Sequence, residues 1–125
     1  METAEAMRDV AKRLHDDKTR IGNILAKATD RHAGVRVAMK EYKDALKNAY
    51  NGIDAVDYGY PECGTAKCYI RLMRADVHYG DVAYRKADIE HMTAILCGNI
   101  ADVIDMIHNC IKLMMAREGN NNKEE

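Results

Sequence analysis

At 125 residues with a formal net charge of −1, the chain has the length of one domain. Such a chain buries about two-thirds of its unfolded surface, enough for a core without disulfide staples. No run of roughly eighteen apolar residues occurs, so no membrane span is expected, and the acidic start Met1–Glu5 does not read as a secretory signal. Phe, Trp and Ser are absent and Pro61 is the sole proline. The core must then come from Leu, Ile, Val, Met, Ala and Tyr, a serine nucleophile is excluded, and long helices run unbroken. Eight methionines make that core adaptable.

The first predicted helix runs from about Thr3, a candidate N-cap, to Thr29. Met7, Val10, Leu14, Ile21, Ile24 and Ala28 form its heptad seam, with the polar Asp17 between Leu14 and Ile21. Residues 29–34 predict a break, with Asp30 capping a second helix. Val35, Met39, Tyr42, Leu46, Ala49 and Ile53 make the next apolar stripe, and Arg36, Lys40, Lys43 and Lys47 line the opposite face. Asn51-Gly52 reads as a C-terminal stop. The segment from Ile53 to Gly64 is the least regular. Thr65 is expected to cap a shorter third helix built on Cys68, Tyr69, Leu72, Met73 and Val77. Gly80-Asp81 marks a further break, and the last helix is expected to begin between Asp81 and Asp88.

That last helix carries the strongest pattern in the chain. Ile89, Met92, Leu96, Ile100, Val103, Ile107, Cys110 and Met114 recur at steps of three or four. Ile95, Ile104 and Ile111 add a second apolar edge, while Gly98, Asp102, Asp105, Asn109 and Lys112 keep a polar line. A helix apolar over so much of its girdle must be covered on more than one side. The expected fold is all-α: an antiparallel bundle of about four helices with a long C-terminal helix, one domain over 1–118 and a disordered polar tail over 119–125. The last helix is also the expected self-association surface, in a homodimer.

Charge is unevenly spread. Between Arg8 and Lys47 there are eleven Lys or Arg against six Asp or Glu, a net of +5; between Asn48 and Met115 there are six against nine, a net of −3. Solvated helix faces that attract each other account for this. A basic surface for nucleic acid is the alternative, less favoured because acids interrupt the cations.

All seven tyrosines lie between Tyr42 and Tyr84. Tyr42 and Tyr69 sit on apolar stripes and read as core. Tyr58 and Tyr60, in Asp57-Tyr58-Gly59-Tyr60-Pro61, join no stripe and suit a contact loop. Four cysteines without a secretion signal fit reduced thiols and a cytoplasmic location. Cys63 and Cys68 are close in sequence, but two thiolates alone do not make the four-coordinate shell of zinc; His78 as a third ligand and a dimer mate would be needed to complete it, so zinc is not the favoured expectation. Cys97 and Cys110 read as small buried hydrophobes. The five histidines make no ligand pair on one helix face, and no glycine-rich phosphate loop occurs.

Glu41 and Asp44 are three apart on the second predicted helix, and Asp102 and Asp105 three apart on the last. That step puts each pair on one helix face. Two such faces meeting would form an oxygen-rich pocket suited to Mg²⁺. The arrangement resembles the all-α nucleoside triphosphate pyrophosphohydrolases, the MazG-like proteins. Residues 38–46, Ala-Met-Lys-Glu-Tyr-Lys-Asp-Ala-Leu, look like the family's first acidic motif, and residues 99–103, Asn-Ile-Ala-Asp-Val, like its second. The resemblance implies Mg²⁺ held by Glu41, Asp44, Asp102 and Asp105, and hydrolysis between the α and β phosphates. Lys40 and Asn99 stand where that family has glutamates.

The favoured expectation is a small non-enzymatic protein that binds a macromolecular partner, as a regulator, adaptor or inhibitor. It needs no cofactor and engages no membrane. A protein partner is expected to be met through Tyr58, Tyr60, Cys63 and Cys68. The Mg²⁺-dependent pyrophosphohydrolase is the alternative.

Overall fold

Between Lys27 and Arg31 the chain turns on one carboxylate. Asp30 Oδ1 accepts hydrogen bonds from the amides of His32, at 2.9 Å, and Ala33, at 3.3 Å, while its main-chain carbonyl accepts the Gly34 amide at 2.9 Å. The His32 and Ala33 amides lack partners inside the helix that follows, and the Gly34 bond is that helix's first, so Asp30 starts the second helix after the first has ended at Lys27. The break expected at residues 29–34 is therefore present.

The computed structural model describes residues 2–56, 61–79 and 89–124. Helix α1 spans Glu2–Lys27, α2 Arg31–Val56, α3 Pro61–Tyr79 and α4 Ile89–Glu124. Among the described residues, only 28–30 lie outside a helix. The fold is all-α. Arg20 meets Glu41 and Gly52 meets Val10, so α1 and α2 run antiparallel. Arg71 meets Tyr50 and Lys67 meets Asp54, which sets α3 antiparallel to α2. Arg8 reaches Met115 and Cys97 reaches Lys18, which sets α4 antiparallel to α1. α1 packs most extensively on α2 and α4, α3 closes the ring against the same two helices, and α2 meets α4 across the diagonal. This is an up-down-up-down bundle.

The core lies on the ring's axis. From α1 it takes Met7, Leu14, Ile21 and Leu25; from α2, Tyr42, Leu46 and Ile53; from α3, Cys63, Ala66 and Ile70. α4 adds the whole stripe from Met92 to Met114. Asp17, the polar residue in the α1 seam, is half-buried and bound by Arg20 at 2.9 Å.

Several local expectations are corrected. Thr3 lies inside α1, which already runs from Glu2. Asn51-Gly52 does not stop α2, which continues to Val56. Gly52 serves close approach instead: a Cβ there would stand 2.7 Å from Val10 Cγ2. α3 starts at Pro61, whose preset φ suits a first helical position. Thr65 is therefore interior, and its hydroxyl donates back to the Pro61 carbonyl at 3.4 Å. The buried face of α3 is Cys63, Ala66 and Ile70, not Cys68 and Leu72, and Leu72 is 60% exposed. Val77 and the start expected between Asp81 and Asp88 lie outside the described side chains and residues. α4 continues through the polar residues from Gly119 to Glu124.

Two glycines should respond oppositely to alanine. A Cβ at the buried Gly34 would collide with the Cβ of Ala28, which sits on the capped turn and cannot swing aside. Gly34→Ala should lower stability by about 1–3 kcal/mol through overpacking, despite its helix propensity gain. Gly98 has nothing within 4 Å of its Cβ position. Gly98→Ala should raise stability by about 0.5–1 kcal/mol. Urea unfolding of both variants checks the pair, and a common sign would contradict the geometry.

Candidate binding surfaces

Small side chains on α2 open a groove beside α1. Ala45, Ala49 and Gly52 face Val10 and Leu14 there, leaving an open cleft of about 590 Å³. A charged clasp lies along it. Arg20 Nη2 donates to Asp17 Oδ1 and to Glu41 Oε2, both at 2.9 Å. Partial burial pulls the Arg20 pKa down, but Glu41 and Asp17 together carry it above the ordinary arginine value. The clasp joins α1 to α2 through half-exposed groups, so its contribution to stability is modest.

The four carboxylates expected to share a metal have separate environments. Glu41 belongs to the Arg20 clasp on the α1 side of α2. Asp44 is exposed and pairs with Lys40 at 3.2 Å, one turn away on the same helix. Asp102 accepts the Tyr69 hydroxyl at 3.2 Å, on the α3 side of α4, and Asp105 is exposed to solvent. Among the described residues, no three of His, Cys, Asp and Glu stand together as a metal-holding group.

Where α2 and α4 meet, the link is neutral. Asn99 Nδ2 donates to the Tyr42 hydroxyl at 3.1 Å, and Tyr42 is fully buried. Both residues were legible in sequence, Tyr42 as core and Asn99 as a motif position. Their bond across the diagonal had no sequence signal.

On α3, Cys63 is buried and Cys68 exposed. Of the two thiols expected at a partner surface, only Cys68 is therefore available there, and the pair does not face one ligand. Tyr58 and Tyr60 lie outside the described residues. Cys110 is buried as expected; Cys97 is half-buried, its thiol 3.6 Å from the Lys18 carbonyl, and burial raises its pKa against the opposing pull of Lys18. Arg71 stacks over the Tyr50 ring at 5.3 Å and donates to its hydroxyl at 2.8 Å.

α4 leaves part of its apolar girdle exposed. Its stretch Ile89–Arg117 has a mean hydropathy of 1.3 in its most apolar window, of which 33% is buried. By length and composition this stretch is long enough to cross a membrane. Asp102 and Asp105 stand at its middle, where each charge would cost about 2.5–3.5 kcal/mol in a bilayer, and its stripe fills the bundle core. Leu113 and Met115 are each 42% exposed, and Ile95 and Ile104 are half-buried at its flanks. Comparison with protein-family models, curated proteins and solved structures returns no match to this chain.

Two measurements follow from the carboxylates. The Tyr69 pKa lies above the ordinary tyrosine value, first through burial, then through the charge and hydrogen bond of Asp102. The folded state thus holds this proton more tightly than the unfolded one. The linked stability is complete below the unfolded pKa of about 10 and is lost as pH rises through the folded value. Asp102→Asn should lower the tyrosinate midpoint of Tyr69, read by ultraviolet absorbance against a Tyr69→Phe blank; an unmoved midpoint would leave burial as the sole cause. Separately, Mg²⁺ at about millimolar concentration should leave the thermal midpoint in place. An upward shift that disappears in Asp102→Asn would instead bring the acidic pairs together around the cation.

Proposed function

We propose that this protein is a non-enzymatic binding module that self-associates along α4 and holds a macromolecular partner on its surface. The observation that carries the reading is the incomplete cover of α4. One edge of its apolar girdle fills the core, yet Leu113, Met115, Ile95 and Ile104 keep exposed area along the flanks. Exposed apolar area along a rigid helix favours association. A second copy supplies a matching surface at no cost in sequence, because a two-fold contact uses the same patch twice. The chain's four cysteines suit a reducing, cytoplasmic setting that keeps them as thiols. The segment from Asp57 to Cys68, with Tyr58, Tyr60 and the exposed Cys68, is the proposed contact for a protein partner.

The choice of test residue depends on burial. Ile111 is only 5% exposed, so a charge there would probe folding rather than association. Leu113→Glu and Ile104→Glu place charge on the flanks. Sedimentation equilibrium should show a dimer for the unaltered chain and a monomer of unchanged helicity for the double variant. A dimer that tolerates both charges, or a chain monomeric from the start, would remove α4 as the association surface.

A further inference from the structure

The outer face of α2 carries a ridge of cations that the binding-module reading does not use. Arg36, Lys40, Lys43 and Lys47 follow at steps of four, three and four, so they line one side of the helix. At 1.5 Å per residue the ridge is about 16 Å long. Arg36, Lys40 and Lys47 are exposed, and Lys43 is half-buried. Of these four, among the described residues, only Lys40 has an acidic partner, Asp44. Glu41 is turned to Arg20 on the other side of α2, and Asp54 is held by Lys67 at the far end. The register set by Tyr50–Arg71 and Asp54–Lys67 brings the half-buried Arg74 of α3 level with Lys47.

We infer that this ridge binds the phosphate backbone of duplex nucleic acid. A straight line of like charges on a rigid helix matches a regular polyanion, in which each strand carries a charge about every 3.4 Å of axis. An acidic protein surface lacks that regularity, and the one large exposed apolar side chain beside the ridge, Val37 at 47% exposed, offers no aromatic or deep anchor for a protein partner. Single strands are held largely by base stacking on aromatic rings. Of the two rings on α2, Tyr42 is buried, and Tyr50 is covered by Arg71 with its hydroxyl engaged. Contacts of this kind position a duplex without reading its sequence. The inference adds a partner class to the binding-module reading and uses a different helix from the self-association face, so the two fail separately.

The test is fluorescence anisotropy of the full chain with a labelled duplex of about 20 base pairs, at salt from about 50 to about 200 mM. Binding should be insensitive to sequence and should weaken about a hundredfold over that range if four phosphates are neutralised. Arg36→Gln, Lys43→Gln and Lys47→Gln together should lower the slope of log affinity against log salt by about 0.9 for each cation removed. Lys112→Gln on α4, a cation outside the ridge, should leave the slope as it was. The Lys47→Gln single variant repeats the test with the least demand on folding, and circular dichroism confirms the helices. Retained duplex binding in a monomeric Leu113→Glu, Ile104→Glu chain would support the ridge independently of self-association. No binding at the lowest salt, an equal loss from Lys112→Gln, or tighter binding to a single strand or to polyglutamate than to the duplex would each overturn the inference.

Discussion

The bundle depends on how α4 hides its apolar stripe. Met92, Leu96, Ile100, Val103, Ile107, Cys110, Ile111 and Met114 are all buried, and no single neighbouring helix is wide enough to cover them. α1 covers one side, α3 the other, and α2 reaches across the diagonal. Truncating any of the large members to alanine would cost about 2–5 kcal/mol, because the cavity left between three helices cannot collapse. The arrangement of the other helices follows from that requirement. α1 supplies large side chains, Met7, Leu14, Ile21 and Leu25, whereas α3 supplies the smaller Cys63 and Ala66 with Ile70. The cover is therefore uneven, and apolar flanks of α4 stay partly open.

Close approach and a few polar bonds then specify the packing that hydrophobic burial alone leaves loose. Gly34 and Gly52 let α2 sit tightly on the turn and on Val10. The Tyr42–Asn99 bond ties the diagonal at one height, and a shift of either helix by a turn would separate its two groups. Such buried pairing contributes more to register than to net stability. Methionines at core positions, among them Met7, Met39, Met92 and Met114, fill the irregular gaps left by a core without Phe or Trp.

Electrostatics divides the surface. The acids interspersed among the cations of α1 and α2 are not evenly available to neutralise them. Asp17 and Glu41 converge on Arg20, Asp44 takes Lys40, and Asp30 is spent on helix capping. Among the described residues, Arg36, Lys43 and Lys47 on the outer side of α2 are left without an acidic partner. A net charge near zero for the whole chain hides that separation, since the field at a surface reflects which charges remain exposed and unpaired there.

The sequence by itself determined the elements and most of their buried faces. Periodicity marked the α2 and α4 stripes because a helix returns each third or fourth residue to the same side, whatever it packs against. Asp30 was legible as a cap because its bonds are to amides two to four residues away. Where local signals carried two meanings, they misled. Asn51-Gly52 has the composition of a stop, but Gly52 answers to Val10, a contact between residues 42 apart in sequence. α3 offered apolar residues on two sides, and the neighbours α2 and α4, not spacing, selected Cys63, Ala66 and Ile70 over Cys68 and Leu72. The acidic pairs show the same division. A step of three places two carboxylates on one face of one helix, but the helix opposite that face is set by how the bundle closes. Only the tertiary structure gave Glu41 to Arg20 of α1 and Asp102 to Tyr69 of α3, because side-chain partners across helices depend on rotation about each helix axis, which core packing sets and local sequence does not encode.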